Sequence, residues 1–153
     1  MATYLITGGC GFIGSHLAES LATDPANRVL LYDNLSSGRI ANVAVVRDRV
    51  DLIEADIRDR DRLAAAMSGV EFVFHEAALV SVFDSVNRPQ DNHEINITGS
   101  LNVLQAAAAA RVKRVVVASS AAIYGDNPEL PKREEMRPEP VSPYALAKIA
   151  LEY

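Results

Sequence analysis

Short apolar runs alternate along the chain with stretches of helical periodicity, and this order predicts the class of fold. The runs cover residues 3–7, 28–32, 50–55, 70–75 and 114–119. They are apolar throughout rather than at every second position, which is typical of strands that are buried on both faces. Because stretches with helical features separate most of them, we expect a parallel sheet in a doubly wound α/β fold.

Four stretches carry the helical signals. The first has Ile13, Leu17 and Leu21 on one face, and the second begins at Asp59 and Asp61 and ends before Gly69. The third is a long helix over residues 89–111, for which we expect a buried stripe of four residues: Ile97, Leu101, Leu104 and Ala108. The fourth begins at Ser142 and Pro143, an N-cap followed by a proline at the first helical position.

The segments between these elements read as loops. Residues 34–42 are polar, with room for one short helical turn, and residues 126–140 are rich in proline and charge, which predicts a long ordered loop. The final helix reaches Tyr153 without a capping signal or a following strand. We therefore expect residues 1–153 to be a sheet domain that is incomplete at its C-terminus.

Composition narrows the class of protein. An apolar content of 49% in 153 residues is enough for the core of one domain, and a net charge of −5 argues against a nucleic-acid partner. The single cysteine, Cys10, excludes an internal disulfide framework and fits a reducing compartment. No apolar run approaches the ~20 residues of a membrane span. With no leader-like N-terminus, we expect a cytoplasmic protein without a membrane partner.

The most specific motif is the glycine-rich turn after the first strand. Gly9, Gly11 and Gly14 satisfy G-x-G-x-x-G, and Gly8 with the last two gives G-x-x-G-x-x-G. Placed between a strand and a helix, this pattern predicts a dinucleotide-binding, Rossmann-type turn that holds a pyrophosphate at the helix N-terminus. An ordinary strand–helix turn is the alternative.

Asp33 follows the second strand at the position where such sites place an acid on the adenosine ribose. A carboxylate there repels a 2′-phosphate, so NAD is favoured over NADP. The alternative is a turn residue at a strand end.

Two further motifs indicate catalysis. Tyr144 and Lys148 are one helical turn apart, so the ammonium and the phenol share a face and the cation favours an ionised phenol that can act as a base. Ser120 follows the fifth strand, where open α/β sheets bind ligands, and its hydroxyl is a candidate donor to the reacting oxygen. Taken alone, each motif also fits an ordinary helix or turn.

The remaining candidates fit structural roles. His16, His75 and His93 lack the spacing of metal ligands. A helix N-terminus can lower the pKa of a thiol such as that of Cys10, but an unreactive turn residue is the interpretation we favour.

Six motifs, in family order, carry a resemblance that runs from Thr3 to Tyr153: TGGCGFIGSHL, DNLSSGR, Asp56-Ile57, HEAALVSV, SSAAIYG and SPYALAK. Together they resemble the extended short-chain dehydrogenase/reductase family, and in particular its NAD-dependent nucleotide-sugar 4-epimerases, which act on UDP-glucose or UDP-N-acetylglucosamine. The resemblance implies a homodimer with a separate substrate-binding domain that lies outside this chain.

The resemblance also assigns residues. It implies catalytic roles for Ser120, Tyr144 and Lys148, the last two also touching NAD. It implies that NAD is held by the following residues: Gly8, Gly11, Phe12, Ile13, Gly14, Asp33, Asn34, Ser37, Gly38, Asp56, Ile57, Ala77, Ala78 and Leu79.

Two positions separate the related activities. Related dehydratases carry acids between the catalytic Ser or Thr and the Tyr-Gly pair, where this chain has Ala121 and Ala122, so the resemblance favours epimerisation through a transient 4-keto sugar. Glu76 departs from the family, where an apolar or amide residue is usual. A dehydratase or reductase of the same family and a non-catalytic NAD-binding module remain the alternatives.

Overall fold

A computed structural model describes residues 2–153 of the protein as a five-stranded parallel sheet in the order β3-β2-β1-β4-β5. The strands are β1 (Thr3–Thr7), β2 (Arg28–Asp33), β3 (Val50–Glu54), β4 (Phe72–His75) and β5 (Arg114–Val117). The prediction of a doubly wound α/β fold is confirmed.

The register of the sheet brings the ends of its central strands to one edge. Thr7 at the end of β1 is paired with Tyr32 on β2 and with His75 on β4. The residues that follow these strands therefore emerge side by side. Since the strand order reverses between β1 and β4, this edge is also the crevice where open α/β sheets bind ligands.

The helices are α1 (Phe12–Leu21), α2 (Arg60–Ala66), α3 (Val82–Asn87), α4 (Pro89–His93), α5 (Ser100–Ala109) and α6 (Pro143–Ala150). A π-helical segment, Glu94–Gly99, joins α4 to α5, so the predicted long helix is one helical run with a widened middle. Two 3₁₀ helices, Ile40–Arg49 and Ala121–Tyr124, complete the elements. The first begins within residues 34–42, where we allowed for one short helical turn, and its remainder and α3 have no counterpart in the sequence prediction.

The predicted buried stripe of the long helical run is wrong. Leu101 is 51% exposed, and Ala108 is also exposed. The buried positions are instead mostly polar or small: Asn92, Asn96, Gly99, Ser100, Asn102, Val103 and Ala107. Polar side chains can occupy this interior face because they form hydrogen bonds there with residues of other elements.

Two apolar cores cover the faces of the sheet. One packs Leu5, Tyr32 and Val73 against α2 and α5, and the other packs Ile6 and Leu31 against α1 and the first 3₁₀ helix. On α1 the fully buried residues are Gly14, Ser15 and Ala18. The expected face of Ile13, Leu17 and Leu21 is therefore only partly right, since Ile13 is exposed. β5 is an edge strand and is half-buried rather than buried on both faces.

Within residues 2–153, every helix is too short or too polar to cross a bilayer.

Candidate functional site

A cavity of about 1030 Å³ opens at the carboxyl edge of the sheet. It takes its walls from the turn after β1, the ends of β2 and β3, and the loop after β4. Fourteen of the residues that we predicted to hold a cofactor line it: Gly8, Gly11, Phe12, Ile13, Gly14, Asp33, Asn34, Ser37, Gly38, Asp56, Ile57, Ala77, Ala78 and Leu79. The fold thus brings together motifs that are far apart in sequence.

Two glycines of the turn, Gly8 and Gly14, have no space for a side chain. Gly8 has a φ of +67°, and a Cβ there would lie 2.7 Å from the backbone nitrogen of Ala77. A Cβ on Gly14 would lie 2.3 Å from the carbonyl oxygen of Gly8. No side chain of the described residues caps the N-terminus of α1, where Phe12 is 80% exposed at the mouth of the cavity. The turn therefore presents backbone and a helix N-terminus to an anionic ligand.

Asp33 is buried beside this turn. Its Oδ2 accepts a hydrogen bond from the backbone nitrogen of Cys10 at 2.9 Å, and its Oδ1 accepts one from that of Leu35 at 2.8 Å. A Cβ on Gly38 would lie 2.9 Å from Oδ2, so a side chain there would displace the Asp33 carboxylate. A carboxylate has about four lone-pair sites, which leaves acceptor capacity for a ligand in the cavity.

Asp56 is held in place at the far side of the cavity. Its Oδ2 accepts hydrogen bonds from Arg58 Nη2 at 2.8 Å and from Asn34 Nδ2 at 2.9 Å. The Arg58 guanidinium, which also lies 3.5 Å from Glu94, holds the pKa of the Asp56 carboxyl well below its usual range. Arg58 was not among the predicted site residues, although its position two residues after Asp56 could have suggested it.

Tyr144 and Lys148 are buried together on α6. Tyr144 is 7% exposed and Lys148 is 5% exposed, and Lys148 Nζ lies 5.8 Å from the centre of the Tyr144 ring. Lys148 Nζ donates to the carbonyl oxygen of Ala118, just beyond β5, at 2.7 Å. Burial lowers the pKa of Lys148, and the charge of Glu76, which lines the cavity, opposes that shift. The pair shares one helix face, as its spacing predicts.

Ser120 is not among the described residues that line the main cavity. It lines a smaller cleft of about 570 Å³ with Tyr124 and Glu134, and its Oγ accepts a hydrogen bond from the backbone nitrogen of Ala122 at 3.2 Å. The 3₁₀ turn that follows it packs against α6. No hydrogen bond within residues 2–153 joins Ser120 to Tyr144.

The sequence of nearly the whole chain matches one family. A model of the NAD dependent epimerase/dehydratase family covers residues 4–153. The chain belongs to this family. The resemblance that we described from the motifs is therefore confirmed at the level of the family and of its dependence on NAD.

Individual members of the family are also similar to the chain. A UDP-glucose 4-epimerase of Mycolicibacterium smegmatis is 40% identical over 150 residues, which is 95% of this chain and 48% of the relative. The structure of a UDP-N-acetylglucosamine 4-epimerase of Methanobrevibacter ruminantium, in complex with UDP-N-acetylmuramic acid, has a TM-score of 0.93 and 39% identity over 99% of this chain and 48% of that one.

A third comparison adds the cofactor. The structure of a UDP-glucose 4-epimerase of Brucella ovis in complex with NAD has a TM-score of 0.91 and 35% identity, and the match covers 99% of this chain and 46% of that one. The chain thus spans about half the length of the curated relatives and solved structures that it matches.

This family member also has a buried hydrogen-bond relay beneath its cavity, which sequence reasoning missed. His75 Nδ1 lies 2.6 Å from Thr7 Oγ1, and His75 Nε2 lies 2.8 Å from Ser100 Oγ. Ser100 Oγ donates to the carbonyl oxygen of Asn96, so it must accept from Nε2, and Thr7 Oγ1 accepts from the backbone nitrogen of Ala77 while donating to Nδ1. The relay ties the loop after β4 to the π-helical segment.

His75 is neutral in this relay. Burial, helped by the charge of Lys148, lowers its pKa to about 4. The sequence shows only that His75 lacks metal-ligand spacing. Its placement at a strand end directly before a predicted wall segment was the signal that could have found it.

The buried histidine gives an expected pH dependence of folding. The pKa of an unfolded histidine is about 6.5. Between about pH 6.5 and 4, His75 therefore binds a proton in the unfolded chain but not in the folded chain. The free energy of unfolding contains the full contribution of neutral His75 above about pH 6.5, and it falls by about 3 kcal/mol as the pH decreases to 4. Urea unfolding between about pH 7.5 and 4.5 should show a steeper decline for the native protein than for His75→Gln. Equal slopes would show that His75 is not buried in its neutral form.

Burial also shifts the pKa values of two other residues, Cys10 and Glu76. Burial raises the pKa of the Cys10 thiol to about 11, with Asp33 adding to the shift, so the thiol is not activated by the nearby helix N-terminus. Glu76, which departs from the family pattern, lines the cavity, and burial raises the pKa of its carboxyl against the opposing charge of Lys148.

Proposed function

We propose that this chain is the NAD-binding half of a nucleotide-sugar 4-epimerase that interconverts UDP-hexoses or UDP-N-acetylhexosamines at C4. The observation that carries the proposal is the buried pair of Tyr144 and Lys148, which is joined to the wall of the main cavity through α3 and through the charge of Glu76. Neither Tyr144 nor Lys148 is among the described residues that line this cavity. The backbone nitrogen of Tyr144 donates to Ser85 Oγ on α3 at 3.1 Å, and α3 also supplies Asp84 to the cavity wall. A phenol, an ammonium and a dinucleotide cradle at one sheet edge suit hydride and proton exchange at a carbinol carbon.

The residues of the cavity fit NAD. Neither Gly8 nor Gly14 has room for a Cβ, which fits the close approach of a pyrophosphate to this turn. Asp33 would hold the adenosine ribose and, as a carboxylate, disfavour a 2′-phosphate, while Asn34, Ser37 and Gly38 would lie alongside it. Asp56 and Ile57 would frame the adenine, and Ala77, Ala78 and Leu79 would form the wall toward the nicotinamide.

Residues of this chain would then accept and return the proton of the sugar 4-hydroxyl. NAD, when bound, would supply the hydride acceptor, and in its reduced form the hydride donor, that a change of configuration at C4 requires. Tyr144, as a phenolate, would take the proton of the 4-hydroxyl and give it back when the 4-keto sugar is reduced. Lys148 would hold the nicotinamide ribose and stabilise the phenolate by its charge. Ser120 would donate a hydrogen bond to the reacting oxygen.

The residues around Ser120 favour epimerisation over dehydration. Ala121 and Ala122 follow Ser120, so these positions provide no acid for a second proton transfer at the sugar. Ala121 lines the smaller cleft, whose carboxylates, Glu134 and Glu152, come from other segments than the two positions after Ser120. A dehydratase or reductase of the same family is the second candidate.

The partners of the complete enzyme follow from the same proposal. The complete enzyme would combine this chain with a second segment that corresponds to the other half of its relatives, and we propose that this segment forms the substrate-binding domain. We propose a homodimer, because Leu101 on α5 and Leu146 on α6 are 51% and 56% exposed and would form an apolar face. A cytoplasmic location stays a prediction from the sequence.

The experiment that tests this function measures cofactor and turnover together. The chain should bind NAD more tightly than NADP in a calorimetric titration, and the complete enzyme should interconvert UDP-sugar 4-epimers without net formation of NADH. Steady accumulation of absorbance at the NADH band would favour a dehydrogenase instead. NAD binding without any change of a UDP-sugar would support the non-catalytic module, and an absence of NAD binding would contradict the proposal.

A further inference from the structure

Two buried asparagines form a ladder of hydrogen bonds from the cavity wall to the start of α6. Asn96 Oδ1 accepts from the backbone nitrogen of Leu79 at 2.8 Å, and Asn96 Nδ2 donates to the carbonyl oxygen of Leu79 at 2.9 Å. Asn96 Nδ2 also donates to Asn92 Oδ1 at 2.8 Å, and Asn92 Nδ2 donates to the carbonyl oxygen of Pro143 at 3.0 Å. Pro143 directly precedes Tyr144.

Each amide in the ladder has one orientation that satisfies its partners. If the Asn92 amide were flipped, its nitrogen would face the Nδ2 of Asn96 and its oxygen would face the carbonyl oxygen of Pro143. Both hydrogen bonds would then be lost, because each would pair two donors or two acceptors. Asn92 is 2% exposed and Asn96 is 1% exposed, so water cannot replace the lost bonds. A buried polar group without a partner is costly, and the ladder is therefore held in a single arrangement.

The ladder reaches two parts of the proposed site from one helical run. At one end, Leu79 belongs to the wall that we assign to the nicotinamide. At the other end, the Pro143 carbonyl is held by Asn92, while the backbone nitrogen of Tyr144 is held by Ser85 Oγ on α3. Asn92 carries the connection from Asn96 to α6, because Asn96 contacts the wall but not α6 among the described hydrogen bonds.

We propose that Asn92 is a positioning residue that sets the separation between the Leu79 wall and the Tyr144 helix. The inference rests on the proposed function and deepens it. Proton and hydride transfer depend on small differences in geometry, and a displacement of about 1 Å can lower a rate about a hundredfold. Asn92 does not touch the reacting atoms and acts through the two groups that it holds.

Substitution can separate the two hydrogen bonds of Asn92, the one that it accepts from Asn96 and the one that it donates to Pro143. Asn92→Asp keeps an oxygen that accepts from Asn96 but places its second oxygen against the Pro143 carbonyl, whereas Asn92→Leu removes both bonds at similar volume. The matched control is Asn27→Asp, because Asn27 Nδ2 also donates to a backbone carbonyl, that of Leu21, at 3.1 Å on the other side of the fold.

We expect the variants to affect turnover and cofactor affinity differently. Asn92→Asp should lower kcat of the complete enzyme about tenfold to a hundredfold, with less than about a threefold change in NAD affinity, since the Asn96 bonds to Leu79 remain. As the pH falls, protonation of the new carboxyl restores a donor toward Pro143, so the ratio of variant to native kcat should rise. Asn92→Leu should show the lower kcat without this recovery, and Asn27→Asp should lower only the melting temperature.

An independent readout separates this inference from the proposed function. In ¹⁵N NMR spectra of the 153-residue protein without NAD, Asn92→Asp should shift the amide signals of both Leu79 and Tyr144, and Asn27→Asp should shift neither. A native protein that binds no NAD would contradict the proposed function and leave this test intact. Unmoved Leu79 and Tyr144 signals, or a kcat of Asn92→Asp within twofold of native at every pH, would overturn the role of Asn92.

Discussion

Replacing Tyr144 with phenylalanine should lower the turnover of the complete enzyme by about 10²- to 10⁴-fold, the usual contribution of a positioned acid or base. The substitution removes only the phenolic oxygen, and the ring keeps its buried place on α6 beside Lys148. NAD affinity should stay within about threefold of the native value, because the cavity walls are untouched. Steady-state epimerase assays and NAD titrations of the same preparation measure both effects.

Tyr4→Phe provides the matched control for this prediction. Tyr4 lies on β1, where its ring stacks on Phe72 with centroids 5.3 Å apart, away from α6. Its loss of a hydroxyl should leave both turnover and NAD affinity near native. Near-normal epimerisation by Tyr144→Phe would remove Tyr144 from the role of base, and a parallel loss of NAD affinity would point to a role in binding instead.

Gly8→Ala should weaken NAD binding by about a hundredfold or more. Gly8 has a φ of +67°, and the added Cβ would lie 2.7 Å from the Ala77 nitrogen and 2.9 Å from its Cα. Both are backbone atoms of the cavity wall, so the turn and the wall must separate to admit a methyl group. Close approach of the pyrophosphate to the turn is then lost, and ~3 kcal/mol of binding free energy corresponds to this fold-change.

Gly69→Ala isolates the conformational part of this effect. Gly69 has a similar φ of +75°, but a Cβ there would meet nothing within 4 Å. Both substitutions carry the cost of a left-handed alanine, about 1–2 kcal/mol of folding stability, and only Gly8→Ala disturbs the cavity. Calorimetric NAD titrations with urea unfolding compare the two variants. Equal NAD affinities in Gly8→Ala and Gly69→Ala would show that the glycine turn does not hold the dinucleotide.

Local signals in the sequence predicted three parts of the candidate site: the glycine turn, the acid at the end of β2 and the start of the helix that carries Tyr144. The glycine spacing after β1, the acid at the end of β2 and the N-cap and proline before Tyr144 each lie within a few neighbouring residues. Turn geometry, capping and helical spacing act over such short distances, so their residues can be read without the fold. The lining of the cavity by all fourteen predicted residues of the glycine turn, the strand ends and the β4 loop agrees with this.

Apolar periodicity misled where the interior is polar. The expected stripe of Ile97, Leu101, Leu104 and Ala108 lies at partly buried or exposed positions, while Asn96 and Ser100 face inward. A rule that places apolar residues inside cannot foresee this, because burial of an amide or a hydroxyl depends on partners in other elements. Those partners, Leu79 and His75, belong to β4 and the loop that follows it.

The sequence alone determined the alternation of the five strands with α1, α2, the long helical run and α6, the glycine turn and the pairing of Tyr144 with Lys148, since each depends on residues that are close along the chain. Only the tertiary structure decided that His75 is a neutral relay, that Ser120 opens into a separate cleft and that Asn92 links the cavity wall to α6. Thr7 and His75, for example, are 68 positions apart and meet only because β1 and β4 pair in register. Such contacts arise from sheet order and register, which bring together side chains that share no local pattern.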